Sequence, residues 1–129
     1  MIFHKLAEDS ENSRHGFMER PWGKFIVLDT VHDKDDMVHR QKLLIIKPNI
    51  SLQLHKHIGY AELWIGESKF DYTLENDKGE LITSTAKPFS RVFVPKNRKH
   101  TIINNSDEEL RIFELQTGVI RDDDNIKFD

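Results

Sequence analysis

Short apolar runs alternate with turn-forming residues along almost the whole chain, and that rhythm predicts a β-rich fold. KFIVLDTV reads as a strand and HDKDD as the charged loop after it. VHRQKLLIIKP is a second strand, stopped where Pro48 lacks a backbone donor and Asn49 suits a turn. SLQLHKH, AELWIG, KFDYTLE and ELITSTA follow, with NDKG as the turn between the last two. SRVFVP ends at Pro95, KHTIIN runs into the polar NSDEE, and LRIFELQ closes the series. About ten short strands, with no amphipathic helix of about twelve residues, predict an antiparallel sandwich or barrel. Residues 1–19 lack any sustained period and predict an arm of the kind that packs on a neighbouring subunit; residues 20–129 form one domain.

Composition narrows the partners. A chain of 129 residues suits one domain, burying about two-thirds of its unfolded surface. Its 37% hydrophobic and 32% charged residues are ordinary for a soluble globular protein. A formal charge of −3 supplies no broad attraction to nucleic acid or to an anionic membrane. The absence of cysteine excludes disulfides, zinc–thiolate sites and thiol nucleophiles, and fits a reducing compartment. No apolar run approaches the roughly 18 residues of a membrane span, and the N-terminus has no signal-peptide core. The expected location is the cytoplasm.

Candidate chemistry concentrates in QLHKHIGYAELW, residues 53–64. On a strand, His55 and His57 share a face because the side-chain period is two, so both imidazoles can enter one volume. Glu62 follows shortly. Downstream, His100 opens a strand just after a Pro-containing turn, with Asn104 at the same parity. Imidazoles and a carboxylate turned into a small barrel are costly unless hydrogen-bonded or bound to a metal. Three imidazoles and one carboxylate suit zinc, iron, manganese, nickel or copper, with positions left for water or substrate. Trp22 and Trp64 read as packing residues, and the acidic run RDDD as a solvated tail. Glu114 and Gln116 share a parity that lets them face the same cavity.

HKHIGYAE resembles the first motif of the cupins, and PKNRKHTIIN the second, with Asn97 where glycine is usual. Asparagine tolerates the left-handed backbone better than most residues. The resemblance implies an all-β cupin jelly-roll (double-stranded β-helix) barrel in which His55, His57, Glu62 and His100 bind one divalent metal. Zinc comes first, with manganese, iron, nickel, cobalt and copper as alternatives. A narrower resemblance covers residues 19–129. ERPWGKFIVLD, the two motifs and the closing QTG with its acidic run are similar to the cupin domain of type II mannose-6-phosphate isomerases. That domain often follows a guanylyltransferase domain. The family has two residues between the second histidine and the glutamate, where this chain has IGYA, and an arginine where this chain has Ile58.

The resemblance implies aldose–ketose isomerisation of a sugar phosphate, with mannose 6-phosphate and fructose 6-phosphate as the pair. The rivals are a sugar-nucleotide isomerase or epimerase of polysaccharide assembly and a non-catalytic sugar-binding cupin. Lys99 or Glu67 is the expected proton-transfer group. Arg91, Gln53 and Arg20 are the expected substrate contacts, Gln53 also being able to ligate through its amide oxygen. Arg91 leads the cations Lys24, Arg98 and Lys99 because its strand enters the second motif. A homodimer is expected, cupins commonly pairing through their sheets.

Overall fold

The computed structural model describes Phe3 and residues 16–129. Its strands are β1 (Met18–Arg20), β2 (Gly23–Asp33), β3 (Asp36–Ile46), β4 (Ile50–Ser51), β5 (His55–Lys56) and β6 (Tyr60–Gly66). They continue as β7 (Phe70–Glu75), β8 (Leu81–Ala86), β9 (Arg91–Val94), β10 (His100–Asn104), β11 (Leu110–Ile120) and β12 (Ile126–Lys127). One sheet has the order β1-β2-β3-β11-β6-β9. The other runs β12-β5-β10-β7-β8, with β4 also paired to β10. Every pairing is antiparallel, and the two sheets enclose the core as the expected cupin jelly roll.

The apolar runs became strands because alternate residues could be buried between the sheets. β6 shows this directly: Tyr60, Glu62, Trp64 and Gly66 are buried while Ala61, Leu63 and Ile65 are only partly so. The core gathers Phe25, Leu44, Ile46, Trp64, Ile102 and Ile112 toward one end of the barrel. HDKDD is not a loop throughout: β2 and β3 extend into it, leaving a tight hairpin with Lys34 at φ 55°. SLQLHKH is not one strand but two short ones, β4 and β5, interrupted at Leu52–Leu54. LRIFELQ continues through a register shift to Ile120, and β1 and β12 were absent from the predicted series.

Of the expected arm, residues 1–2 and 4–15 lie outside the described residues. The Phe3 ring meets that of Phe89 at 5.9 Å and packs on Ile26, Leu43 and Ile45, on the outer face of the first sheet. Met18 and Glu19 already belong to β1 and pair with Phe25 and Lys24.

Candidate metal centre and its cavity

β5 and β10 set His55 and His100 directly opposite one another, their ring centroids 4.3 Å apart. Glu62 projects inward from β6 beside them. His57 lies one residue beyond β5, so strand parity does not place it. A turn and the chain's C-terminal segment do. Asn97, at φ 59°, donates its backbone N–H to the His57 carbonyl at 2.6 Å, joining the turn before β10 to the end of β5. The ligand atoms of His55, His57, Glu62 and His100 all lie within 4.8 Å of one another.

The hydrogen bonds determine which nitrogen of each ring is free. His55 Nδ1 donates to the Gln53 carbonyl at 2.7 Å, His57 Nδ1 to Asp124 O at 2.6 Å, and His100 Nδ1 to Arg98 O at 2.8 Å. A carbonyl can only accept, so each neutral ring carries its proton on Nδ1 and leaves the Nε2 lone pair free. Burial pushes all three imidazoles below the ordinary histidine value. His55 falls to about 4, with the His100 charge adding to the burial. They are therefore neutral at physiological pH.

His100 Nε2 lies 3.0 Å from Glu62 Oε1, yet the two atoms do not meet hydrogen-bond geometry and neither has another partner. Two buried, unsatisfied acceptor sites facing one volume are costly unless a cation enters it. Ligand bonds of about 2.0–2.2 Å place donors at most about 4.4 Å apart. The cluster would need to contract by only tenths of an ångström. These residues fit a divalent metal held by three nitrogens and a carboxylate.

The longer spacer Ile58–Ala61 is held by the acidic run expected to be a solvated tail. The Asp124 carboxylate accepts the backbone N–H groups of Ile58 at 2.9 Å and Gly59 at 2.7 Å, while its own carbonyl orients His57. These two bonds hold the Asp124 pKa below the usual carboxylate value, against the opposing effect of burial. Val119 donates to the Gly59 carbonyl at 3.0 Å. A Cβ at Gly59 would stand 2.6 Å from Val119 O, and one at Gly118 2.4 Å from Gly59 O. The inserted residues therefore need glycine on both sides of the contact. β12 then pairs with β5, and Phe128 N–H bonds to Leu54 O, so the C-terminal segment straps down the strand that carries His55.

A cavity of about 430 Å³ opens beside the cluster, with His55, His57 and Glu62 in its wall. Its wall also carries Arg40 and Lys42 from β3, and Glu114 and Gln116 from β11, the strand paired to the one that bears Glu62. Gln116 bridges them, accepting from Arg40 Nε at 2.7 Å and donating to Glu62 Oε2 at 3.0 Å. Arg40 also pairs with Asp122 at 2.7 Å. Trp64 Nε1 donates to Glu114 Oε1 at 3.1 Å, so this core tryptophan also serves the site. Burial, then the nearby Glu62 charge, raises Glu114 to about 8 and keeps it protonated at neutral pH. Tyr60 stacks on His57 at 4.3 Å, and burial raises its phenol above the ordinary value.

Two of the expected substrate contacts line this cavity. Arg20 is exposed at its rim, and Gln53 donates to Phe128 O at 3.3 Å. The structure places three other expected site residues outside this cavity wall. Arg91 alternates with the inward Val92 and Val94, so its side chain leaves the barrel on the outer face. Lys99 lies outside the cavity wall, its Nζ 4.3 Å from the Phe128 ring centroid. Glu67 follows the end of β6, five residues beyond Glu62, where its N–H bonds to Arg111 O away from the cavity. Arg40, Lys42, Asp122 and Asp124 were missed. Arg40 and Lys42 share parity with Leu44 and Ile46, but Leu43 and Ile45 are buried as well, so parity does not single them out.

Comparison with known proteins agrees with this fold. A family profile described as Mannose-6-phosphate isomerase C-terminal matches residues 7–129. A mannose-1-phosphate guanylyltransferase of Salmonella muenchen is 32% identical over 122 residues, which are 95% of this chain and 24% of that protein. The xanthan biosynthesis protein XanB of Xanthomonas campestris is 29% identical, over 97% of this chain and 25% of its own length. The chain thus spans about a quarter of the curated relatives it matches. Among solved structures, the capsular polysaccharide assembling protein CapF of Staphylococcus aureus superposes with a TM-score of 0.77 at 16% identity. That match covers 95% of this chain and 34% of CapF. Among the described residues, no helix is long and apolar enough to cross a membrane.

Proposed function

The chain belongs to the mannose-6-phosphate isomerase C-terminal family, and we propose that it is a metal-dependent aldose–ketose isomerase acting on a small sugar phosphate. Mannose 6-phosphate and fructose 6-phosphate are the pair we assign, in the supply of precursors for polysaccharide synthesis. One observation carries this reading. Three imidazoles are locked with Nδ1 bound to carbonyls and Nε2 free, around Glu62, at the wall of an open cavity.

His55, His57, Glu62 and His100 would hold the metal, which supplies a Lewis acid that polarises the substrate carbonyl. The protein does the rest. Gln116 orients Glu62 and ties it to Arg40, so the carboxylate keeps its direction as charge shifts nearby. Glu114 lines the wall next to the cluster, held by Trp64; because it is protonated at neutral pH, we assign it as the acid that hands a proton to a sugar oxygen rather than as the base. In this reading the protein works in the cytoplasm as a pair of identical chains. Phe93, an apolar side chain 61% exposed on β9 at the edge of the first sheet, supports the pairing.

Incubating the protein with mannose 6-phosphate, and separately with fructose 6-phosphate, tests the assignment. Interconversion should require a divalent metal, stop on chelation and return when metal is restored. Binding of both sugars without interconversion under any divalent metal would favour the sugar-binding reading. Ile58, standing where the family carries arginine, would then be the first cause to examine.

A further inference from the structure

Lys42 has no part in the chemistry above, and its surroundings are unusual for a lysine. It sits partly buried in the cavity wall between the inward residues Arg40 and Leu44. Arg40 is satisfied by Asp122 and Gln116. Lys42 has no such partner: among the described residues, no carboxylate lies within ion-pair distance of its Nζ. Glu114 stands directly across the ladder, but its oxygens are taken by Trp64 and Gln116. The Lys42 ammonium rests instead over the Phe25 ring, 4.3 Å from its centroid.

Arg20 reaches the same ring from β1, its Cζ 5.1 Å from that centroid. Its Nη1 donates to the Glu19 carbonyl, and it too has no ion-pair partner among the described residues. Drawing the Lys42 ammonium partly out of water costs free energy that an aromatic face returns only in part. Two cations share one ring and one cavity with neither in an ion pair, and the Asp122 carboxylate in the same wall is already held by Arg40 at 2.7 Å, so an anion would complete the site. A lysine supplies a point charge and an arginine a planar fork, a combination suited to phosphate oxygens.

We propose that Lys42 and Arg20 form an anion-binding subsite on the Phe25 ring, which takes the phosphate of a small sugar phosphate whose carbonyl end lies at the His55–His57–Glu62–His100 cluster. Naming the anion as a sugar phosphate rests on the isomerase reading; the subsite itself rests on the two cations. It supplies within the barrel the positive charge missing at Ile58, which is 50% exposed and outside the cavity wall.

Calorimetric titration of the metal-loaded protein with fructose 6-phosphate, fructose and inorganic phosphate is the test. Wild-type protein should bind fructose 6-phosphate more tightly than fructose. Lys42→Met should weaken fructose 6-phosphate and inorganic phosphate about 10- to 100-fold, with fructose affinity and metal content unchanged. Arg20→Gln should act in the same direction; Arg20 is exposed, so this variant keeps the test valid should Lys42→Met fail to fold. Unchanged phosphate-ester affinity in the folded variants overturns the subsite, as does an equal loss for fructose. Turnover with undiminished affinity in both variants would sink the subsite and spare the isomerase. Phosphate binding that depends on Lys42, in a protein that isomerises nothing, would do the reverse.

Discussion

His100 and Ile102 are two residues apart on β10, face the same way, and are each 1% exposed. One ends in a cluster of ligands, the other in the hydrophobic core. The same division recurs along the neighbouring strands. Glu62 precedes Trp64 on β6, Lys42 precedes Leu44 on β3, and Ile112 precedes Glu114 on β11. The barrel interior therefore has a dry end and a polar end built from the same strands with the same alternation. Strand period decides which residues point inward. It does not decide whether an inward residue contributes packing or chemistry. At the dry end each side chain gains free energy by leaving water. At the polar end each one loses hydration and must recover it from a specific partner, so residues there form a connected network.

The largest expected effect comes from exchanging these roles on one strand. His100→Ala should lose the metal on dialysis and lower turnover at least about 10²–10³-fold, with thermal unfolding little changed. Ile102→Ala should do the opposite, costing about 2–5 kcal/mol in denaturant titration while the metal stays bound. A His100→Ala protein that retained metal, or an Ile102→Ala protein that lost it without unfolding, would erase the distinction between the two ends.

A smaller effect is expected at the strap over the polar end. Asp124→Ala removes the acceptor for the Ile58 and Gly59 N–H groups and loosens the carbonyl that orients His57. Metal affinity should fall about 10- to 100-fold, the range for losing an outer partner of a ligand. Competition with a chelating dye measures it. An unchanged affinity would reduce the acidic run to the solvated tail expected from composition.

The smallest effect is in acidity, read on metal-free protein. The three histidines have lowered values, His55 reaching about 4 against 6.5 for a free imidazole. Between these values the unfolded chain binds more protons at His55, so its contribution to stability is full above about 6.5 and is lost as pH falls toward 4, with His57 and His100 acting in the same direction. Glu114 has the opposite sign. Its value is raised from 4.5 to about 8, so its contribution is full below 4.5 and is lost as pH rises through 8. The melting temperature in chelator should therefore fall on the acid side as the imidazoles charge and on the alkaline side as Glu114 ionises. Glu114→Gln should flatten the alkaline limb and steepen the acid limb above pH 4.5. An alkaline limb that persists in Glu114→Gln would show that this carboxyl is ionised in the fold.

Much of this protein can be read from its residues. Alternating apolar runs and Pro- or Gly-marked turns specify short strands, because each rule acts within a few residues. His55, His57, Glu62 and His100 stand out because imidazoles and a carboxylate are rare at positions otherwise read as inward. Tertiary structure decided what surrounds them. Lys42 and Arg40 were hidden because Leu43 to Ile46 are buried on both faces of β3, so alternation there does not mark the interior. Arg91 looked well placed by its nearness to the second motif, but its one-residue offset from Val92 sends it outside. Asp124 could not be told from Asp123 by composition. A carboxylate becomes a clamp only where two N–H groups separated from it by more than sixty residues come within hydrogen-bonding distance. Local propensity acts between neighbours in sequence, whereas charge, hydrogen bonding and exclusion of water act between neighbours in space, and folding alone sets those.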